Sequence, residues 1–154
     1  MLNTITAFEK LMQEHEVIEA NTKQIANAAD NLLTLSSLRD EPDNFTDYQV
    51  NYLSDKRVNL KRAIGTLRDG LEDHQAREQE MIQPLVGDPI TKAIKLQHQE
   101  ALDLLADINW ILLNVSPVGI LFNCVFLKQK VDALCRTLNA NNARENSILE
   151  LLSK

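Results

Sequence analysis

Residues 74–90, HQAREQEMIQPLVGDPI, decide how the chain folds. Leu67 and Leu71 precede this stretch and Met81 and Ile82 sit inside it, at spacings that keep one face apolar, so its first half reads as the end of a long helix. Pro84 removes a backbone donor and Gly87 accepts a conformation that ends helices, and together they stop it. Asp88 and Pro89 follow at once as N-cap and first-turn proline of the next helix. Two helices joined by so short a link are expected to lie antiparallel.

Working outward, Phe8, Leu11, Met12, Ile18, Ile25, Ala29 and Leu32 recur at helical steps and mark a first long helix, with Thr6 and Glu9 placed to cap its start. Residues 39–44 contain Pro42 and two aspartates and read as a polar connection. Thr46 with Gln49 forms a capping-box pattern, and Phe45 can staple onto Val50, which starts a second helix whose stripe is Leu53, Leu60, Ile64, Leu67 and Leu71. Gly65 and Gly70 weaken that helix by ~1 kcal/mol each relative to Ala unless close packing uses them. The third helix carries Ile90, Ile94, Ala101, Leu105, Ile108 and Leu112. Ser116 and Pro117 repeat the start signal for a fourth, with Ile120, Leu127, Val131, Leu134, Leu138, Ile148 and Leu152. The expected architecture is all-α, an antiparallel up-down-up-down four-helix bundle forming one domain over residues 1–154.

Composition agrees with packed helices: aromatics make up 5%, and Gly and Pro number 4 each, too few turn residues for a sandwich of many strands. A net charge of −6 with no basic stripe argues against nucleic acid. The N-terminal MLNTITAFEK lacks the pattern of a signal peptide, and no apolar run reaches the roughly 18 residues of a membrane span, so a soluble cytoplasmic protein is expected. Cys124 and Cys135, about 16 Å apart along one helix, cannot bridge each other and read as small core residues.

The informative residues are polar ones that fall on the apolar stripes, because burying them costs free energy unless something pairs with them. They are His15, His74, Glu78, His98, Asn141 and Glu145, and they include every histidine of the chain. Each alone has a plain reading: a core imidazole bonded to a neighbour, a solvated glutamate, an amide bonded to backbone. Counted from the bundle end where the first helix starts and the fourth ends, all six lie roughly 11–18 Å along the axis. All four helices thus deliver polar groups to one layer. Imidazole nitrogen with carboxylate oxygen suits iron, and also zinc or manganese. Because imidazole must be neutral to bind metal, affinity is expected to fall below about pH 6.

These residues resemble the haemerythrin-like (HHE) cation-binding family. The first-helix segment around Glu14 and His15, the HxxxE of His74 and Glu78 followed by Pro84, the third-helix His98, and the closing NNARENSILELL at residues 141–152 each match a piece of its pattern, in order. The resemblance implies a dinuclear non-haem iron centre bridged by Glu78 and Glu145, with His15 and His74 on one metal and His98 on the other. It further implies oxygen, redox or nitric oxide sensing, or iron handling. The chain departs from the pattern at Leu102 and Asn141, where reversible oxygen binders carry histidines. The metal near His98 is therefore short of nitrogen ligands, with Asn141 left to offer an amide oxygen.

Neither a substrate pocket nor a catalytic base marks an enzyme. The competing reading is a bundle that has lost its metal and serves as an interaction or scaffold module. A phosphotransfer bundle would need an exposed histidine, whereas all three point inward. The segment from Trp110 to Leu127, WILLNVSPVGILFNCVFL, is apolar on more faces than one core covers, and predicts a homodimer or a protein partner.

Overall fold

The computed structural model describes residues 2–38, 47–116, 119 and 123–153. Among them every regular element is helical: α1 (Leu2–Leu38), α2 (Asp47–Met81), α3 (Gln83–Val86), α4 (Asp88–Asn114) and α5 (Cys124–Ser153). The four long helices pack as a closed set. α1 lies against α2 and α5, and α4 lies against the same two, while the short α3 joins α2 to α4 and touches both. None of the described helices is long and apolar enough to cross a membrane.

The side chains buried on α1 are Phe8, Leu11, His15, Ile18, Thr22, Ile25, Ala29 and Leu32, and those on α5 run Cys124, Leu127, Val131, Leu134, Leu138, Asn141, Glu145 and Leu149. Steps of three and four alternate along α1, and along α5 as far as Glu145, after which a second step of four leads to Leu149; a period near 3.5 keeps a seam facing its neighbours over many turns. The buried positions correct the stripes read from the sequence at three places. Met12 is 38% exposed and Ile90 is 42% exposed, because Leu11 and Thr91 occupy the inward positions beside them. Ile148 is half-buried and yields the seam to Leu149, one turn after Glu145.

The helix starts differ as well. α1 begins at Leu2, so Thr6 lies within it and is not its cap. Gly87, with φ at +82°, is the N-cap of α4, and Asp88 and Pro89 are its first residues. Asp88 therefore meets the positive end of the helix dipole without bonding a backbone donor. At the other end of α4, the Ser116 Oγ accepts the Gly119 N–H at 3.0 Å, the spacing of an N-cap bond. The proposed cap of α2 at Phe45, Thr46 and Gln49, and the positions Pro117 and Ile120, lie outside the residues whose side chains are described. Cys124 is buried and Cys135 half-buried, and both thiols are free.

Apolar packing is interrupted once along the long axis. The large cluster includes Ile18, Leu71, Ala101 and Leu138, and a second, smaller one is built from Phe8, Leu11, Ile82 and Leu149. Between Leu11 and Ile18 stands His15; between Leu71 and Ile82 stand His74 and Glu78; between Leu138 and Leu149 stand Asn141 and Glu145. The polar layer is thus closed by hydrocarbon on both sides.

Candidate metal centre

Each helix supplies the layer through its inward seam, so the same periodicity that builds the core buries the polar groups. His15, His74, Glu78, His98, Asn141 and Glu145 are all buried, none more than 4% exposed. Their burial removes the imidazoles from any role as exposed phosphoryl acceptors. Glu19 and Glu100, two other carboxylates near the layer in sequence, are exposed. Two further polar residues on the seam were not apparent from the stripes. Thr22 and Thr91 return their hydroxyls to carbonyl oxygens four residues earlier, Ile18 at 2.6 Å and Gly87 at 2.8 Å, and so need no other partner.

The histidines and glutamates have no such local solution. Nε2 of His15 faces Nε2 of His74 at 2.9 Å. Around this pair, Glu78 Oε1 lies 2.6 Å from His74 Nε2 and 3.5 Å from His15 Nε2, and Glu145 Oε2 lies 3.1 Å and 3.9 Å from the nitrogens of His15 and His74. One donor atom from each of these four residues falls within 4.8 Å of every other, a spacing that surrounds one cation. The remaining oxygens turn the other way. Glu145 Oε1 meets His98 Nε2 at 2.8 Å, and Glu78 Oε2 stands 3.5 Å from it. Both carboxylates therefore span two sets of nitrogens, two imidazoles on one side and one on the other.

Electrostatics within the layer favour a cation. Burial would lower the His15 and His74 imidazoles, but Glu145 and Glu78 outweigh it and push them up to about 10 and about 9. Burial would raise Glu145, but His15, His74 and His98 hold it well below the usual carboxylate range. Even so, the hydrogen bonding is incomplete. Glu78 Oε1 is close to His74, yet not at a hydrogen-bonding angle, so both buried oxygens of Glu78 lack a hydrogen-bond partner, as do His98 Nδ1 and Asn141 Nδ2. Buried acceptors left unpaired cost on the order of 1–3 kcal/mol each, more for a charged group. A metal ion held by His15, His74, Glu78 and Glu145 would pair Glu78 Oε1 and so remove part of that cost, and the residues present fit one.

The far nitrogens of the first two histidines are oriented from outside the layer. His15 Nδ1 bonds Asn146 Oδ1 at 2.6 Å. His74 Nδ1 faces Glu14 Oε1 at 3.6 Å, beyond hydrogen-bond range but within the field of a carboxylate that Arg77 grips through Nε at 2.9 and 2.8 Å and through a further contact from its terminal nitrogen. Burial would raise Glu14, and the bond from Arg77 together with His74 lowers it instead. Asn146 and Arg77 each lie one residue from a seam glutamate, but that position alone does not say what they touch. Asn141 sits one turn before Glu145 on the seam of α5, buried and with its amide nitrogen unpaired.

Compared with models of known protein families, with curated proteins and with solved structures, the chain matches none.

Proposed function

We propose that the chain is a haemerythrin-like non-haem metal protein, a single antiparallel up-down-up-down four-helix bundle that holds a dinuclear iron centre and senses or handles a small ligand such as oxygen or nitric oxide. One observation carries the reading: two buried carboxylates, Glu78 and Glu145, each offer one oxygen to the His15 and His74 pair and the other to His98. In this reading His15 and His74 hold one metal, His98 the other, and the glutamates bridge. When bound, iron supplies a redox-active Lewis-acid centre. The chain's own part is to present neutral imidazole nitrogens and charged oxygens in fixed directions and to keep bulk water out with Leu11, Ile18, Ile82 and Leu149.

The test is anaerobic reconstitution with ferrous iron, removal of loose metal, and elemental analysis. Wild-type protein should retain iron that the Glu78→Gln, Glu145→Gln double variant does not. Equal iron in the two proteins, or none in either, rejects the metal reading.

A second role rests on a different surface. Trp110, Leu113, Val125 and Phe126 are all half or more exposed, which supports the proposal of self-association or a protein partner at that end of the bundle. Sedimentation at high protein concentration should show a dimer that Trp110→Ala weakens. A monomer under all conditions excludes the dimer.

A further inference from the structure

Asn142 and Asn146 stand one turn apart on α5, both half-buried, and both reach the same residue of α1. Asn142 Nδ2 donates to the His15 backbone carbonyl at 3.4 Å, and Asn146 Oδ1 lies 2.6 Å from His15 Nδ1. An amide oxygen carries no hydrogen, so this second bond forms only when Nδ1 donates. Nε2, on the opposite edge of the ring, then keeps its lone pair for the layer, where it faces His74 Nε2, Glu78 Oε1 and Glu145 Oε2. With the hydrogen on Nε2 alone, Nδ1 and the amide oxygen would meet as two acceptors at 2.6 Å, which is repulsive.

From this geometry we propose that Asn146 is a positioning residue for His15: it selects the ring nitrogen that carries hydrogen and so the one that takes a cation, while Asn142 holds the backbone of α1 in register. The inference rests on the metal reading above and adds to it the residue that sets the binding form of one donor. Two observations support it. First, the far nitrogens of the three imidazoles are held in three ways. His15 Nδ1 bonds a neutral amide, His74 Nδ1 faces the Glu14 carboxylate at 3.6 Å, and His98 Nδ1 is buried without a partner. Among the described residues, Asn146 thus makes the one hydrogen bond to a far nitrogen of the set.

Second, Asn146 orients the ring without adding charge. Glu145 precedes it directly, and Glu78 shares the layer. A carboxylate in its place would accept the same bond and would also raise the basicity of the imidazole. An apolar side chain of the same size would accept nothing and leave the ring free to present either nitrogen. The three side chains therefore separate orientation from mere packing of α1 on α5.

The experiment uses full-length protein loaded with zinc(II), a diamagnetic probe, and nuclear magnetic resonance of labelled histidine, which shows which ring nitrogen carries hydrogen and which the metal. Wild type should show His15 with zinc on Nε2 and a slowly exchanging hydrogen on Nδ1. Asn146→Leu should weaken zinc on the order of tenfold or more in competition with a chelator, and its Nδ1 hydrogen should exchange faster. Asn146→Asp should bind zinc at least as tightly as wild type. Three results would overturn the proposal while the metal site stands: wild-type zinc affinity in folded Asn146→Leu, equal weakening in Asn146→Leu and Asn146→Asp, or zinc on Nδ1 of His15. A lower melting temperature of metal-free Asn146→Leu at unchanged zinc affinity belongs to the first of these and would mean that the contact only ties α1 to α5. Should Asn146→Leu lose helix content, Asn146→Ala takes its place and the same results decide. A wild type that takes up no more zinc than the Glu78→Gln, Glu145→Gln variant overturns the metal reading itself, a result distinct from the others.

Discussion

Nε2 of His15 and Nε2 of His74 stand 2.9 Å apart in the core, on helices whose contributing residues are 59 positions apart in sequence. At that distance the two nitrogens cannot both point a proton at each other, and two carboxylates press on the same space. The pair has to share a proton or share a metal, and the two cases differ in sign when the pH is changed.

In metal-free protein the carboxylates, outweighing burial, push His15 from 6.5 to about 10 and His74 from 6.5 to about 9. Raised folded values mean that the proton held by the pair gives stabilisation that is complete below pH 6.5 and is lost as the pH rises through 9 and 10. Metal-free protein should therefore melt roughly 5 °C or more lower near pH 10 than near pH 7. Metal displaces those protons, so affinity should keep rising with pH through the same window instead of levelling off just above pH 6, where the sequence alone places the change. Melting curves with and without chelator across this range check both signs, and the same slope in both would remove the case for a metal.

The clamp on Glu14 predicts a second effect. Arg77 fixes the carboxylate that faces His74 Nδ1, and a group that orients a metal-binding histidine is typically worth 10–100-fold in affinity. Arg77→Ala and Glu14→Gln should each weaken metal binding on the order of tenfold, seen in competition with a chelator, while the melting temperature of metal-free protein changes little because Arg77 is on the surface of the packed helices. A clear loss of helix content with unchanged metal affinity would show that the clamp only ties α1 to α2.

The fold and the layer were legible for one shared reason: a helix seam buries whatever falls on it, so an apolar stripe that includes His15 or Glu145 already states that these groups are inside. Periodicity fixed rotation to within a residue, and this tolerance is where it slipped, at Met12, Ile90 and Ile148. Thr22 and Thr91 went unnoticed because threonine tolerates both burial and exposure, and only its bond to the preceding turn tells which. Asn146 and Arg77 were not legible, since what they touch lies across an interface whose depth no single helix encodes. The pairing of Glu78 and Glu145 oxygens with both sides was an implication of the resemblance, and the distances in the structure are what give it a geometric footing.

Gly65 and Gly70 lie in the interior of α2, and a methyl group added at either would meet nothing within 4 Å. Close helix packing therefore does not explain them. Gly65→Ala and Gly70→Ala should each stabilise the protein by about 0.5–1 kcal/mol, or roughly 1–4 °C in melting temperature. A drop in melting temperature on either change would mean that α2 needs its glycine for a motion or a contact with another molecule.

The two halves of the centre should bind metal unequally, and the shortage of nitrogen near His98 is the reason. In the proposed reading a cation on the first side would meet Nε2 of His15 and of His74 together with one oxygen from each glutamate. On the second it would meet His98 and the two remaining oxygens. His98 Nδ1 is buried without a partner, in contrast to His15 Nδ1, which bonds Asn146; His74 Nδ1 also lacks a hydrogen bond but faces the Glu14 carboxylate at 3.6 Å. Leu102, one turn after His98, packs half-buried against the apolar core and donates nothing. Asn141, one turn before Glu145, is buried and offers a neutral amide, a poorer donor for ferrous iron than imidazole. The second equivalent of iron should therefore bind more weakly and leave first to a chelator. Asn141→His, and separately Leu102→His, should raise retention of the second iron, whereas His74→Ala should empty the stronger position with helix content nearly unchanged. Two irons of indistinguishable affinity in the wild type, or folded histidine variants that retain no more iron than it does, would show that nitrogen shortage does not set the difference.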